Sequence, residues 1–137
     1  MRRNVLFLCT GNSCRSQMVE AIVNAGLGDR WFASSAGTHP ADSINPHALR
    51  ALREIGIEHR GSPKHVDEMR KVPFDLVVTV CDSAAEECPL WLGPGIRVHL
   101  SFPDPAKVTG TDEEVMRAFR LVRDDIAAKI PPLLLEY

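Results

Sequence analysis

A short apolar run, Asn4-Val-Leu-Phe-Leu8, ends at a polar loop, Cys9-Thr-Gly-Asn-Ser-Cys-Arg15-Ser16, and that loop opens into a segment with helical periodicity. The run reads as a strand buried on both faces. Residues Ser16 to Ala25 read as a helix, with Met18, Ala21, Ile22 and Ala25 toward a core and Gly26 and Gly28 ending it. A strand that turns through a tight loop into a helix is the opening unit of a parallel α/β sheet.

The rest of the chain repeats the alternation. Trp31 to Ser35 reads as a second strand, followed by a Gly37-Thr-His-Pro40 turn. Asn45-Pro46 starts a helix with proline early in it, an apolar stripe at Ala48, Leu49, Leu52 and Ile55, and a stop at Gly56. An extended piece at Ile57 to Arg60 leads to a brief helix at Val66 to Arg70. Phe74 to Val80 is the clearest strand, β-branched and running directly into Cys81. Residues 81 to 95 are broken by Pro89, Gly93, Pro94 and Gly95, and Arg97 to Leu100 reads as a last strand. A final helix is expected from Asp112 to Ile130, with Val115, Phe119, Val122 and Ile126 as its buried stripe. Thr111, Asp112 and the two glutamates that follow supply its cap and first-turn negative charge.

Size and charge narrow the function classes. The 137 residues suit one domain, 1–137, with neither repeat nor linker. A net charge of −2 leaves no basic excess for general nucleic-acid binding. No apolar run approaches the roughly 20 residues of a membrane span. The opening Met-Arg-Arg-Asn and five apolar residues are too short for a signal peptide and lead into the thiol loop rather than a small-residue cleavage site. A cytoplasmic protein is therefore expected, and in a reducing compartment its four cysteines suggest redox or metal chemistry before permanent staples. Neither Cys9 and Cys14 nor Cys81 and Cys88 has the Cys-x-x-Cys spacing of a structural zinc knuckle, so no metal is expected.

The loop carries the chemistry. Backbone N–H groups of Thr10, Gly11, Asn12, Ser13 and Cys14, together with the start of the following helix, can surround a tetrahedral oxyanion. Arg15 adds a planar fork of donors. The same positive surroundings favour a thiolate at Cys9, the expected nucleophile. Ser16 can donate a hydrogen bond to that thiolate; Asn12 and Ser13 shape the loop, and an ordinary turn or cap role fits them equally well. Cys14 reads as a bystander. Cys9 and Cys81 both follow predicted strands, so both fall at the carboxyl edge of the sheet, where ligand sites gather in open parallel sheets. If Cys81 and Cys88 bond to each other, residues 81 to 88 cannot form one regular helix: seven residues of helix span about 10.5 Å, whereas bridged Cα atoms lie within about 7 Å. That segment is expected to loop out on oxidation.

With these residues in place the chain resembles the thioredoxin-coupled arsenate reductase family, built on the low-molecular-weight tyrosine phosphatase fold. The matching segments are Cys9 to Met18, Ser35-Ala-Gly37, Asp75 to Cys81, Cys88-Pro89 and Asp104-Pro105, in the expected order. The resemblance implies an α/β single-domain four-stranded parallel sheet with helices on both faces. It also implies a relay in which Cys9 attacks arsenate, Asp104 assists loss of an oxygen, and Cys81 and then Cys88 carry the disulfide to thioredoxin. No organic cofactor takes part. Phosphate or sulfate would compete for the loop, and a monomer is expected. Some reductases of this family hold a monovalent cation with an asparagine, a glutamate, a serine and an aspartate. Asn12, Glu20 and Ser35 match the first three, while Lys64, within Ser62-Pro-Lys-His65, stands near the fourth and can replace the cation or simply be solvated. The competing expectation is a phosphotyrosine phosphatase using Cys9, Arg15 and Asp104. Against it, Ala106-Lys-Val-Thr follows Asp-Pro where such enzymes carry tyrosines. Weak phosphatase activity is expected beside the reductase reaction.

Overall fold

The computed structural model describes residues 2–82 and 88–137. Four parallel strands form one sheet: β1 (Arg3–Cys9), β2 (Trp31–Gly37), β3 (Leu76–Thr79) and β4 (Ile96–His99), in the order β2-β1-β3-β4. β1 is central, and its apolar run is buried on both sides as its composition requires. Alternate residues serve two cores. Val5, Phe7 and Cys9 face a large core with α1 (Arg15–Gly26), α2 (Pro46–Arg53) and α3 (Asp112–Leu135). Leu6 and Leu8 face a smaller one with Val66, Phe74, Val77 and Trp91. A short 3-10 helix, Val66–Met69, covers this second face.

Most element ends shift by one or two residues from the sequence reading, β3 shortening from Phe74–Val80 to Leu76–Thr79, and three of the differences have a clear physical reason. β2 runs on to Gly37, which pairs with Cys9 and so holds the end of β1 level with the start of the loop. α2 ends at Arg53, because Gly56 takes the left-handed conformation (φ 82°) and the chain closes with Gly56 N–H to Arg53 O and Ile57 N–H to Leu52 O. That reversal carries Ile57 against the core and leaves Ile55, expected in the buried stripe, 44% exposed. α3 continues past Ile130 through Pro131 and Pro132 to Leu135. The two prolines cannot donate to the carbonyls four residues earlier, but Ala127 and Ala128 lie on the exposed side, where water can satisfy them, and buried Leu134 anchors the extra turn. Elsewhere the caps follow the sequence: Asn45 accepts from His47 N–H ahead of Pro46, and Thr111 with Glu114 closes a capping box on α3. Among the described residues no helix is long and apolar enough to cross a membrane.

Candidate active site

The loop between β1 and α1 is held open by its surroundings. Carbonyl oxygens of Thr10, Gly11 and Ser13 accept from His39, Ala41 and Asn45 N–H at 2.9, 2.9 and 3.0 Å. In a trans peptide the C=O and the next N–H point opposite ways. Tying these carbonyls outward therefore turns the N–H groups of Gly11, Asn12 and Cys14 inward. The resulting cavity, about 260 Å³, is lined by Cys9, Thr10, Gly11, Asn12, Ser13, Cys14, Arg15, Asp104, Ala106 and Lys107. It sits at the N-terminus of α1, whose dipole favours an anion.

Cys9 lies at the floor, and its sulfur has two close partners. Asn12 N–H donates to Cys9 Sγ at 3.3 Å. Ser16 Oγ lies 2.8 Å from the same sulfur. Which of those two atoms donates is settled next door. Lys64 N–H donates to Asn12 Oδ1 at 2.9 Å, so the other amide atom, Nδ2, faces Ser16 Oγ at 2.8 Å and donates to it. The Ser16 hydroxyl proton is then directed at the sulfur. Two donors therefore converge on one sulfur. Asn12 makes this possible by adopting a left-handed backbone (φ 51°), a conformation asparagine tolerates better than most residues.

Arg15 is buried and aimed by Phe102, whose carbonyl accepts from Arg15 Nη1 at 3.2 Å. Asp104 faces it across the cavity mouth, with Oδ2 3.8 Å from Arg15 Nη2. Its other oxygen accepts from Ala106 N–H at 3.0 Å, capping the short 3-10 helix Pro105–Lys107 and fixing the carboxyl group over the pocket. Cys14 also reaches the cavity wall, but burial pushes its thiol up to about 11. The second thiol pair is bonded: Cys81 and Cys88 form a disulfide with Cα atoms 5.8 Å apart. The looping-out expected of this segment on oxidation falls on residues 83–87, outside the described residues. Val80 N–H donates to Leu8 O, so Cys81 follows one residue past the point level with Cys9, at the same carboxyl edge of the sheet.

Asn12, Glu20, Ser35 and Lys64 come together. Ser35 Oγ donates to Glu20 Oε1 at 3.0 Å, and Lys64 Nζ lies 4.0 Å from the same oxygen while donating to Ser62 O at 3.1 Å. It is the Lys64 backbone, not its ammonium, that reaches Asn12. The sequence reading missed Gln17, buried in this cluster, His59, half-buried beside it, and Lys107 at the cavity mouth. A lone glutamine inside a helix and a lone histidine in an extended segment carry no spacing signal.

The comparisons with known proteins agree with this geometry. The model of the low molecular weight phosphotyrosine protein phosphatase family matches residues 4–136. An arsenate reductase of Halalkalibacterium halodurans is 46% identical over 130 residues, 94% of this chain and 93% of that protein. The crystal structure of an arsenate reductase from Archaeoglobus fulgidus superposes with a TM-score of 0.70 at 29% identity, covering 90% of this chain and 96% of that one. A thioredoxin-dependent arsenate reductase of Corynebacterium glutamicum gives a TM-score of 0.62 at 25% identity, covering 99% of this chain and 64% of that one. The chain belongs to the low molecular weight phosphotyrosine protein phosphatase family, among its arsenate reductases.

Proposed function

We propose that this protein reduces arsenate to arsenite by a three-thiol relay through Cys9, Cys81 and Cys88, and that thioredoxin restores it. The observation that carries the reading is the Cys81–Cys88 disulfide just past β3, on the same sheet edge at which the adjacent parallel β1 opens into the oxyanion pocket. A phosphatase needs one thiol; a reductase needs two more electrons, and a dithiol supplies them.

Arsenate enters the loop, its oxygens held by backbone N–H groups and Arg15. The Cys9 thiolate attacks arsenic, and Asp104 protonates the departing oxygen, which leaves as water. Cys81 attacks the Cys9 sulfur. The electron pair of the sulfur–arsenic bond passes to arsenic, releasing arsenite and leaving a Cys9–Cys81 disulfide. Cys88 then attacks Cys81, freeing the Cys9 thiolate and forming the Cys81–Cys88 disulfide. A thioredoxin dithiol reduces that bond by exchange and becomes oxidised itself. The thioredoxin dependence named for the Corynebacterium glutamicum relative supports this last step.

Arsenate-dependent NADPH oxidation through a thioredoxin system tests the relay. Wild type turns over continuously, whereas Cys9→Ser, Cys81→Ser and Cys88→Ser each abolish sustained turnover. Continued turnover by Cys81→Ser or Cys88→Ser would overturn it. The phosphatase alternative, resting on Cys9, Arg15 and Asp104, is disfavoured because no aromatic side chain is among the described residues lining the cavity; Ala106 and Lys107 stand at its mouth. Weak hydrolysis of small phosphate esters remains an expected side activity. Lys64 fills the role of a monovalent cation beside Glu20 in this reading. Rates in potassium and sodium chloride at equal ionic strength are then the same, and strong potassium activation would refute it.

A further inference from the structure

Behind Asn12 lies a buried polar chain that the relay does not use. Gln17 is fully buried, and its Nε2 donates to Asn12 O, Asn12 Oδ1 and Ser62 O, each at 3.1 Å. Two of those acceptors are backbone carbonyls, so the amide nitrogen is fixed on that side and the amide oxygen faces away. That oxygen, Oε1, meets His59 Nε2 at 2.8 Å. An amide oxygen only accepts, so His59 carries its proton on Nε2. Glu20 Oε2, 3.5 Å from the same nitrogen, demands the same tautomer. Glycine at position 61 leaves the ring its place: a Cβ there would lie 2.9 Å from His59 Nε2 and 3.1 Å from Gln17 Oε1.

We propose that His59 is a positioning residue for Cys9, acting through Gln17. The donors run in one direction: His59 to Gln17, Gln17 to Asn12, Asn12 to Ser16, and Ser16 to the Cys9 sulfur. Gln17 clamps both oxygens of Asn12, the residue whose left-handed backbone aims its N–H at the same sulfur. His59 orients Gln17, so the register of the whole chain depends on a ring outside the cavity. The charged neighbours of the ring are Glu20 and Lys64. Burial holds His59 below its ordinary value, with Lys64 reinforcing and Glu20 opposing, which keeps the ring neutral and Nε2-protonated near neutral pH.

The inference rests on Cys9 being the nucleophile, and its test needs neither arsenate nor thioredoxin, so it can fail or stand apart from the reductase reading. In oxidised protein, with Cys81 and Cys88 bonded, iodoacetamide alkylation of Cys9 is followed against pH, and fragmentation mass spectrometry separates Cys9 from Cys14. His59→Leu, which removes the donor, slows Cys9 alkylation at pH 7 by about fivefold and moves its pH midpoint upward. His59→Gln keeps an N–H donor and stays within about twofold of wild type. Gln17→Met reproduces the His59→Leu effect, and the double variant is no slower than either single one, because both break one chain. Wild-type alkylation in His59→Leu, even with a lowered melting temperature, would overturn the proposal, as would equal slowing in His59→Gln and His59→Leu. If His59→Leu does not fold, Gln17→Met decides: unchanged alkylation there overturns it.

Discussion

Replacing Gly37 by alanine tests how tightly the sheet holds the loop. Gly37 closes β2 opposite Cys9, and an ideal Cβ there lands 2.3 Å from Thr10 O and 2.8 Å from Cys9 O. The Gly37 backbone is not left-handed, so the cost is one of space alone. Ordinary contact begins near 3.4 Å, so the Thr10 carbonyl must retreat by about 1.1 Å, the difference between the two distances. Both obstructing atoms are backbone and cannot swing aside. Overpacking of this kind costs about 1–3 kcal/mol, and a displacement near 1 Å at a reacting group costs on the order of a hundredfold in rate. The expected result is a melting temperature lower by about 3–9 °C for a chain of this size, with weakened binding of inorganic phosphate and a collapse of arsenate turnover. Gly26→Ala is the matched control: Gly26 ends α1 with nothing within 4 Å of the added Cβ, so alanine there stabilises by about 0.5–1 kcal/mol and leaves turnover alone. Wild-type phosphate affinity and melting in Gly37→Ala would refute the argument that this close approach sets the loop.

With its thiol pushed up to about 11, Cys14 stays unmodified by iodoacetamide at pH 8 in the folded protein and reacts in urea, as peptide mass mapping will read. Phe119, fully buried and stacked on His47, loses about 3–5 kcal/mol on truncation to alanine, seen as a lower urea midpoint at unchanged slope. Arg120 and then Arg123 hydrogen-bond the Glu54 carboxylate and hold it at about 2, below its ordinary 4.5. The unfolded chain therefore binds the extra proton first, so this contribution is complete above about pH 4.5 and is lost as pH falls toward 2. Glu54→Gln flattens acid unfolding across that window.

How much of this was legible beforehand depended on whether the signal was local. The central strand, the loop and the Asn45 and Thr111 caps are written in adjacent residues, and the structure has them where the sequence reading put them. That Cys9 and Cys81 share one sheet edge was readable because each follows a predicted parallel strand, and β1 and β3 do pair, with Leu8 opposite Thr79. Ile55 and the end of α3 were not readable. A helical stripe does not reveal that Gly56 reverses the chain and hands the core contact to Ile57, and two prolines ordinarily end a helix unless burial of a later residue such as Leu134 holds it.

The amino-acid sequence by itself determined the reagents: a thiol, a guanidinium and a run of small polar residues between a strand and a helix, with two further thiols far along the chain. Short-range backbone geometry suffices to make that loop an anion cradle. Tertiary structure decided the direction of the chemistry. The hydrogen-bond polarity that ends on Cys9 depends on Lys64 N–H and the Ser62 carbonyl, which are remote in sequence and fix the Asn12 and Gln17 amides only once the chain has folded. Asp104 likewise reaches Arg15 only across the assembled cavity mouth. Hydrogen bonds are directional and short, so which atom donates to which is a property of packing, not of order along the chain.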